Sequence, residues 1–195
     1  MHMGKVIWHT TLSLDGFIAG PGGRMEWVTG HSGVPPEVFD EIVAPLGAVL
    51  AGRRTYDEGI SAVGGKVYNG AFDGPVFVLT HRPPADPGPG LEFVSGDIAE
   101  VMATVRAAAG GGDIALLGAQ TARQCLAAGL VDEVFVHLVP ALLGDGVRLF
   151  DSPGDDWIDL TAVSLRTAGD LAHLRYRVGP RRTPAGEYPA ALQPR

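Results

Sequence analysis

The sequence predicts a single α/β domain built on a mixed, mainly parallel sheet, and three observations carry that expectation. Short apolar runs alternate with helix-like segments through Gly129. The runs are apolar at consecutive positions, as strands covered on both faces must be. Towards the C-terminus the pattern changes to a period of two, broken at Gly169, which reads as an antiparallel hairpin.

The first strand is Val6-Ile7-Trp8-His9-Thr10-Thr11-Leu12, ending at Ser13 before a glycine-rich loop. Pro35 to Ala44 places Val38, Phe39 and Ile42 at helical spacing, and Pro45 ends that helix. Ala48-Val49-Leu50-Ala51 is a central strand, followed by Gly52-Arg53-Arg54 and a helix that Thr55 and Glu58 open as a capping box. Val76-Phe77-Val78-Leu79 is the next strand, leading through Thr80-His81-Arg82 into a proline-rich loop that ends at Pro89. Asp97 and Glu100 repeat the capping-box pattern, and Gly110-Gly111-Gly112 stops that helix. Ile114-Ala115-Leu116-Leu117 runs into Gly118-Ala119-Gln120-Thr121 and a helix closing at Gly129. Glu133–Val139 is a strand, and Leu160–Val178 forms the hairpin. In its second arm Ala172, Leu174, Tyr176 and Val178 alternate with His173, Arg175 and Arg177, the arrangement of a half-exposed strand. The domain is expected over residues 1–178, with a flexible tail over 179–195 where periodicity is lost.

Composition excludes several function classes. A net charge of −7 opposes nonspecific binding to nucleic acid or an anionic membrane. No apolar run approaches the roughly 18 residues of a membrane span, and the N-terminus lacks the pattern of a signal peptide, so a cytoplasmic location is expected. Cys125 is the one cysteine, which removes intrachain disulfides and paired-thiol zinc clusters and points to a packed apolar side chain. The histidines have no metal-ligand spacing, and no metal is assigned.

Two strand-to-helix junctions carry the functional signal: Gly52-Arg53-Arg54-Thr55 and Gly118-Ala119-Gln120-Thr121. Each sets a small residue beside free amide groups at the positive end of a helix dipole, an environment that favours phosphate. Turn geometry alone accounts for a lone glycine, but two such junctions after neighbouring strands mark the ligand edge of an open α/β sheet. Arg53, Arg54, His81 and Arg82 add positive charge there against an acidic background. Guanidinium groups suit a ribose 2′-phosphate, which favours NADPH over NADH; surface pairing with carboxylates is the alternative for each arginine. Neither junction reads as Gly-x-Gly-x-x-Gly, and a Walker loop is missing.

Ser13-Leu14-Asp15-Gly16-Phe17-Ile18-Ala19, Gly52-Arg53-Arg54-Thr55-Tyr56, Val78-Leu79-Thr80-His81-Arg82 and Leu117-Gly118-Ala119-Gln120 together resemble the dihydrofolate-reductase-like superfamily. Gly129 to Val134, with Pro140 to Phe150, looks like its riboflavin-biosynthesis reductase branch, the RibD C-terminal domain. The resemblance covers roughly residues 5 to 178 and implies a three-layer fold and NADPH-dependent reduction of a small carbonyl or imine-type substrate. It implies that Ile18 and Ala19 border the nicotinamide. Gly52, Arg53, Arg54 and Thr55 with Thr80, His81 and Arg82 would hold the adenosine-side phosphates, and Leu117, Gly118, Ala119, Gln120 and Thr121 the pyrophosphate. Ala119 stands where a second glycine is common. The branch also implies a homodimer, with the apolar strand Val134 to Val139 as a candidate contact.

For the chemistry, Asp15 is the first candidate to contact substrate, with Ser13 beside it; an Asp-Gly turn is the alternative. Glu37 is the second, because Val34-Pro35-Pro36-Glu37 resembles the segment that supplies the acid in true dihydrofolate reductases, although a glutamate there also compensates a helix dipole. Asp40 and Glu41 compete for that role, and Trp27 is a candidate apolar wall. Two other functions remain open: a nucleotide-binding protein without turnover, and a flavin-binding protein.

Overall fold

The computed structural model describes residues 4–31, 33–86, 90–151 and 156–184. The chain runs β1 (Val6–Ser13), β2 (Phe17–Ala19), α1 (Pro36–Val43), β3 (Leu46–Gly52), α2 (Arg53–Thr55), β4 (Val76–Leu79), β5 (Leu91–Val94), α3 (Ile98–Ala109) and β6 (Asp113–Leu117). It continues with α4 (Ala119–Ala127), β7 (Glu133–Val139), β8 (Val147–Arg148), β9 (Trp157–Ala168) and β10 (Leu171–Arg182). Eight of these strands form one sheet in the order β5-β4-β3-β6-β1-β7-β10-β9, and β2 pairs with β8 beside it. Pairing is parallel from β5 to β7 and antiparallel from β7 to β9.

The apolar runs explain the layers. On β3, Ala48 and Leu50 face one side and Val49 and Ala51 the other, all fully buried. The first face joins Trp8, Phe77, Leu116, Val105, Ala122 and Cys125 under α3 and α4. The second packs Val49, Ala51, Val78 and Ala115 against Tyr56 and Ile60, with Ile7 and Phe135 covered by Val38 and Ile42 of α1. Asp97 caps α3 as expected, its carboxylate accepting from the Ala99 amide at 2.8 Å, and Gly110 closes that helix in the left-handed region at φ 59°.

Several expectations shift. α2 begins at Arg53 with Gly52 as its N-cap, and the helical path continues through Tyr56–Ile60 and Ser61–Val63. Thr55 therefore lies inside the first turn and caps nothing. β5 and the β2–β8 pair were not anticipated: β5 is a four-residue edge strand, and β2–β8 is held by residues far apart in the chain. β10 extends to Arg182, so 179–182 belong to the sheet; residues 185–195 of the expected tail and 87–89 of the proline-rich loop lie outside the described residues. β7 is hydrogen-bonded on both sides, by β1 and β10. His173 is 1% exposed, so the polar side of β10 begins buried beneath the sheet face rather than in solvent.

β3 carries a register shift between Leu46 and Ala48 opposite β6. The residue in the bulge is Gly47, where an added Cβ would stand 2.1 Å from the carbonyl oxygen of Ala109 at the end of α3. A backbone atom cannot swing aside, so Gly47→Ala is expected to cost about 1–3 kcal/mol by overpacking. Urea unfolding of the variant, read as a lowered midpoint at unchanged slope, checks this.

Candidate active site

β1 and β6 are partners only over Val6–Trp8 and Ile114–Leu116, whereas β1 stays paired with β7 as far as Ser13 and Val139. Past Trp8 the strands part. The connection after β6 goes to α4 on one face, and the connection after β1 goes to α1 on the other. Open α/β sheets bind ligands at such a parting. A cleft of about 1210 Å³ opens there, walled by His9, Thr10 and Thr11 of β1, by Ile18 and Ala19 of β2, and by Tyr68. Its other lining includes Gly52, Arg53, Arg54, Thr55, Thr80, His81, Leu117, Gly118, Ala119, Gln120, Thr121 and Arg123.

The two junctions lock into one another. A Cβ on Gly118 would stand 2.3 Å from the Thr55 hydroxyl, and one on Gly52 would stand 2.8 Å from the Thr121 hydroxyl. Gly118 also sits at φ 92°, a conformation that favours glycine. The glycines thus let two helix starts pack side by side, and neither helix has a side-chain cap, which leaves their first amide groups for an anion. Ala119 is buried within the core and puts its methyl there.

The cations divide into bound and available. Arg53 donates to Asp57 at 2.8 Å and to the carbonyl of Arg82, so it is largely committed. Arg54 is 69% exposed, with Glu58 at 3.9 Å, and is free to turn towards a ligand. Arg82 does not line the cleft; its amide donates to the Thr80 hydroxyl at 3.1 Å, closing the turn after β4. Arg123 was missed from sequence. It lies four residues after Ala119, on the same helix face, with one Nη donating to the Arg148 carbonyl at 3.1 Å. Its Nε is buried without a partner among the described residues, as expected of a donor that awaits an anion.

None of the residues expected to touch substrate as acids or walls lines the cleft. Ser13 is fully buried, donating to Asp15 at 2.7 Å and accepting from the Phe17 amide at 2.9 Å. Asp15 accepts from the amides of Leu143 and Gly144, at 3.0 and 2.7 Å, and so pins the Pro140–Gly146 loop to the β1–β2 turn. The Gly144 amide first, then the Ser13 hydroxyl, pull its carboxyl down to about 2. It is a clamp that stays ionised. Trp27 donates to the Arg24 carbonyl at 3.2 Å, Glu37 and Asp40 are exposed on α1, and Glu41 bridges Arg166 at 2.6 Å.

Behind the cleft wall, a row of imidazoles runs inward from His9. On the α1 face of the sheet, His9 Nδ1 meets the Tyr68 hydroxyl at 3.0 Å, His9 Nε2 meets His137 Nε2 at 2.8 Å, and His137 Nδ1 meets His173 Nδ1 at 2.7 Å. His137 and His173 are register partners across β7 and β10. Burial, then His137 and Arg175, lower His9 to about 3; burial and His173 take His137 to about 4; burial and Arg166 lower His173. All three are neutral at neutral pH. Tyr68 stacks on His9 at 5.5 Å between ring centres and is held at φ 52°, next to Asn69 at φ 55°. For a bulky residue that is a strained backbone, of the kind that collects at functional sites.

The family model of the RibD C-terminal domain matches residues 4–174. The chain belongs to the RibD C-terminal domain family. Among solved structures it is similar to a putative riboflavin biosynthesis protein from Shewanella sp. PV-4, with a TM-score of 0.72 and 24% identity over 91% of this chain and 100% of that one. A diaminohydroxyphosphoribosylaminopyrimidine deaminase/5-amino-6-(5-phosphoribosylamino)uracil reductase from Thermotoga maritima gives 0.62 at 18% identity, over 90% of this chain and 57% of that one. A dihydrofolate reductase from Enterococcus faecalis, complexed with NADP(H), gives 0.55 at 16% identity, over 92% and 98%. The fold is therefore dihydrofolate-reductase-like, and the RibD-type sheet here ends in the long β9–β10 hairpin. Among the described residues no helix is long and apolar enough to cross a membrane, and no group of three or more His, Cys, Asp or Glu is placed to hold a metal ion.

Two consequences follow for stability. Asp15→Asn removes the charge that the Gly144 and Leu143 amides and the Ser13 hydroxyl hold; a lowered melting temperature is expected, measured by circular dichroism. The Asp15 contribution is complete above its ordinary value of 3.8 and fades as pH falls towards 2. The histidine row acts at higher pH and in the same direction: rings kept neutral in the fold but protonated when unfolded cost stability as pH drops below 6.5. Urea midpoints should fall between pH 7 and pH 5 and the fall should shrink in His137→Leu; an unchanged slope in that variant would contradict the shifts.

Proposed function

We propose that this chain is an NADPH-dependent reductase of a small carbonyl or imine-type substrate, of the ribosylamino-pyrimidine or pterin kind. The observation that carries the reading is the interlocked pair Gly52–Thr121 and Gly118–Thr55, which sets two uncapped helix starts side by side at the cleft among Arg53, Arg54 and Arg123. In this reading the α4 start and the Arg123 Nε hold the pyrophosphate, and Arg54 with His81 and Thr80 holds the 2′-phosphate. Ile18, Ala19, Thr10 and Thr11 receive the nicotinamide end. When bound, the cofactor supplies a hydride; the chain supplies orientation and a dry wall. The β2–β8 pair contributes to that wall, with Gly146 packed so closely on Ala19 that a Cβ there would meet the Ala19 carbonyl at 2.1 Å.

A second reading, a nucleotide-binding protein without turnover, draws support from the position of Asp15 and Glu37 away from the cleft. Substrate panels separate the two: NADPH oxidation with 5-amino-6-(5-phosphoribosylamino)uracil or dihydrofolate supports the first, and saturable binding with no oxidation the second.

The 2′-phosphate assignment has its own test. Arg54→Ala is expected to weaken NADPH binding by about tenfold, the size of one charge-assisted hydrogen bond, while leaving NADH binding nearly unchanged. Fluorescence titration with both cofactors measures this. Equal losses for the two would move the 2′-phosphate elsewhere, and no saturable NADPH signal in the unmodified chain would end the reductase reading.

A further inference from the structure

The row Tyr68–His9–His137–His173 has a property that follows from counting protons. A neutral imidazole carries one N–H and one bare nitrogen. Each contact in the row needs one hydrogen between its two heavy atoms. If His9 holds its proton on Nε2, it donates to His137 Nε2; His137 must then carry its own on Nδ1 and donate to His173 Nδ1, which leaves the His173 proton on Nε2 and makes Tyr68 the donor to His9. The reverse choice at His9 reverses every member. Only two neutral arrangements satisfy all three contacts, and they run in opposite senses.

The ends of the row differ. At one end Tyr68, whose hydroxyl meets His9 Nδ1 at 3.0 Å, is a lining residue of the cleft. At the other, His173 Nε2 is buried with no hydrogen-bond partner among the described residues. The groups flanking the row are cationic: Arg175 on β10, held by Glu133 at 2.6 Å, and Arg166 on β9, the register partner of His173, held by Glu41 of α1 at 2.6 Å. A cationic flank disfavours an imidazolium at rest and favours passage of a proton without storage.

We propose that Tyr68 is the proton donor of the reduction and that His9, His137 and His173 form a proton wire behind it, refilled at His173 Nε2. This rests on the reductase reading. As the carbon of a C=N or C=O group accepts the hydride, its π pair moves to the heteroatom, which takes the hydrogen of the Tyr68 hydroxyl. The His9 Nδ1 proton replaces it on the tyrosine oxygen, the His137 Nε2 proton moves to His9 Nε2, and the His173 Nδ1 proton moves to His137 Nδ1. One proton, drawn ultimately from solvent, binds His173 Nε2. Every ring is again neutral and the row has changed sense. After product leaves, a cleft water protonates the Tyr68 oxygen while its former hydrogen passes to His9 Nδ1. The row hands its protons back, and His173 Nε2 releases one to solvent, which restores the starting sense. Tyr68 is catalytic in this scheme; the three histidines are positioning residues that act through it.

The test uses the full chain and has a readout apart from activity. Imidazole nitrogen NMR at neutral pH is expected to show the three rings protonated in one common sense: His9 Nε2, His137 Nδ1 and His173 Nε2, or all three opposite nitrogens. A mixed sense, or an imidazolium within the row, overturns the wire whether or not NADPH binds. With NADPH and 5-amino-6-(5-phosphoribosylamino)uracil or dihydrofolate, Tyr68→Phe keeps the stacked ring and removes only the hydroxyl; kcat should fall by about 100-fold with NADPH affinity unchanged. His173→Gln, far from the cleft, should lower kcat and leave KM alone. Tyr68→Phe turning over at close to the unmodified rate overturns the donor assignment. Failure of the unmodified chain to bind NADPH removes the reductase reading and with it the donor role of Tyr68, whereas a mixed NMR pattern removes the ordered row while leaving the reductase reading standing.

Discussion

The geometry of the cleft depends on the parallel register of β1 between two partners. Three residues, Val6 to Trp8, tie it to β6, and seven, Ile7 to Ser13, tie it to β7. The short ladder ends where the long one continues, and that mismatch opens the sheet beyond Trp8. A slip of one residue would exchange the faces of β1. Trp8 would leave its buried site under α3 and α4, and His9 would lose both Tyr68 and His137. Core packing and the chemistry of the wall are therefore fixed by the same hydrogen bonds. The buried Glu133 secures the start of that register: it takes Lys5 at 2.8 Å and Arg175 at 2.6 Å, joining the approach to β1, β7 and β10 at one carboxylate. Burial raises such a group, but the two cations more than offset it and hold Glu133 below its usual range.

On the far side of the cleft the constraint is steric. Thr55 and Thr121 each occupy the volume that a side chain on the opposite glycine would need, so α2 and α4 approach as a pair. That closeness concentrates the positive ends of two helix dipoles without any side-chain cap to neutralise them. Arg53, at the start of α2, bonds Asp57 and the Arg82 carbonyl and so ties α2 to the turn after β4.

Local signals in the sequence were sufficient for the parallel part of the sheet. Consecutive apolar residues at Ala48–Ala51, Val76–Leu79 and Ile114–Leu117 read as buried strands, and the Asp97 cap and Gly110 mark the helix between the last two. The two glycine junctions were legible for the same reason, since a strand followed by glycine and helix is a local pattern. What escaped depends on residues far apart. β2 and β8 are joined across more than a hundred positions. The start of α2 was misplaced because Thr55 and Glu58 satisfy a local capping pattern that the packing against Thr121 and Gly118 overrides. In β10 the alternation was read correctly, but its polar side was assigned to solvent; Arg175 and His173 are polar because they meet Glu133 and His137, not water.

The same distinction bears on where an acid can be found in this cleft. Carboxylates drew attention in the sequence because they are the usual acids near neutral pH, yet Asp15 is held ionised by the loop it pins, which is the wrong state for giving up a proton. A neutral hydrogen-bonded row avoids that conflict. It carries no charge to desolvate, so it tolerates the dry environment that hydride chemistry needs, and it delivers a proton by exchanging hydrogens along existing contacts. The strained turn at Tyr68 fits this role, because its left-handed backbone aims the hydroxyl at His9 from a segment outside the sheet. The proton supply is thereby separated from the electropositive side of the cleft that suits phosphates.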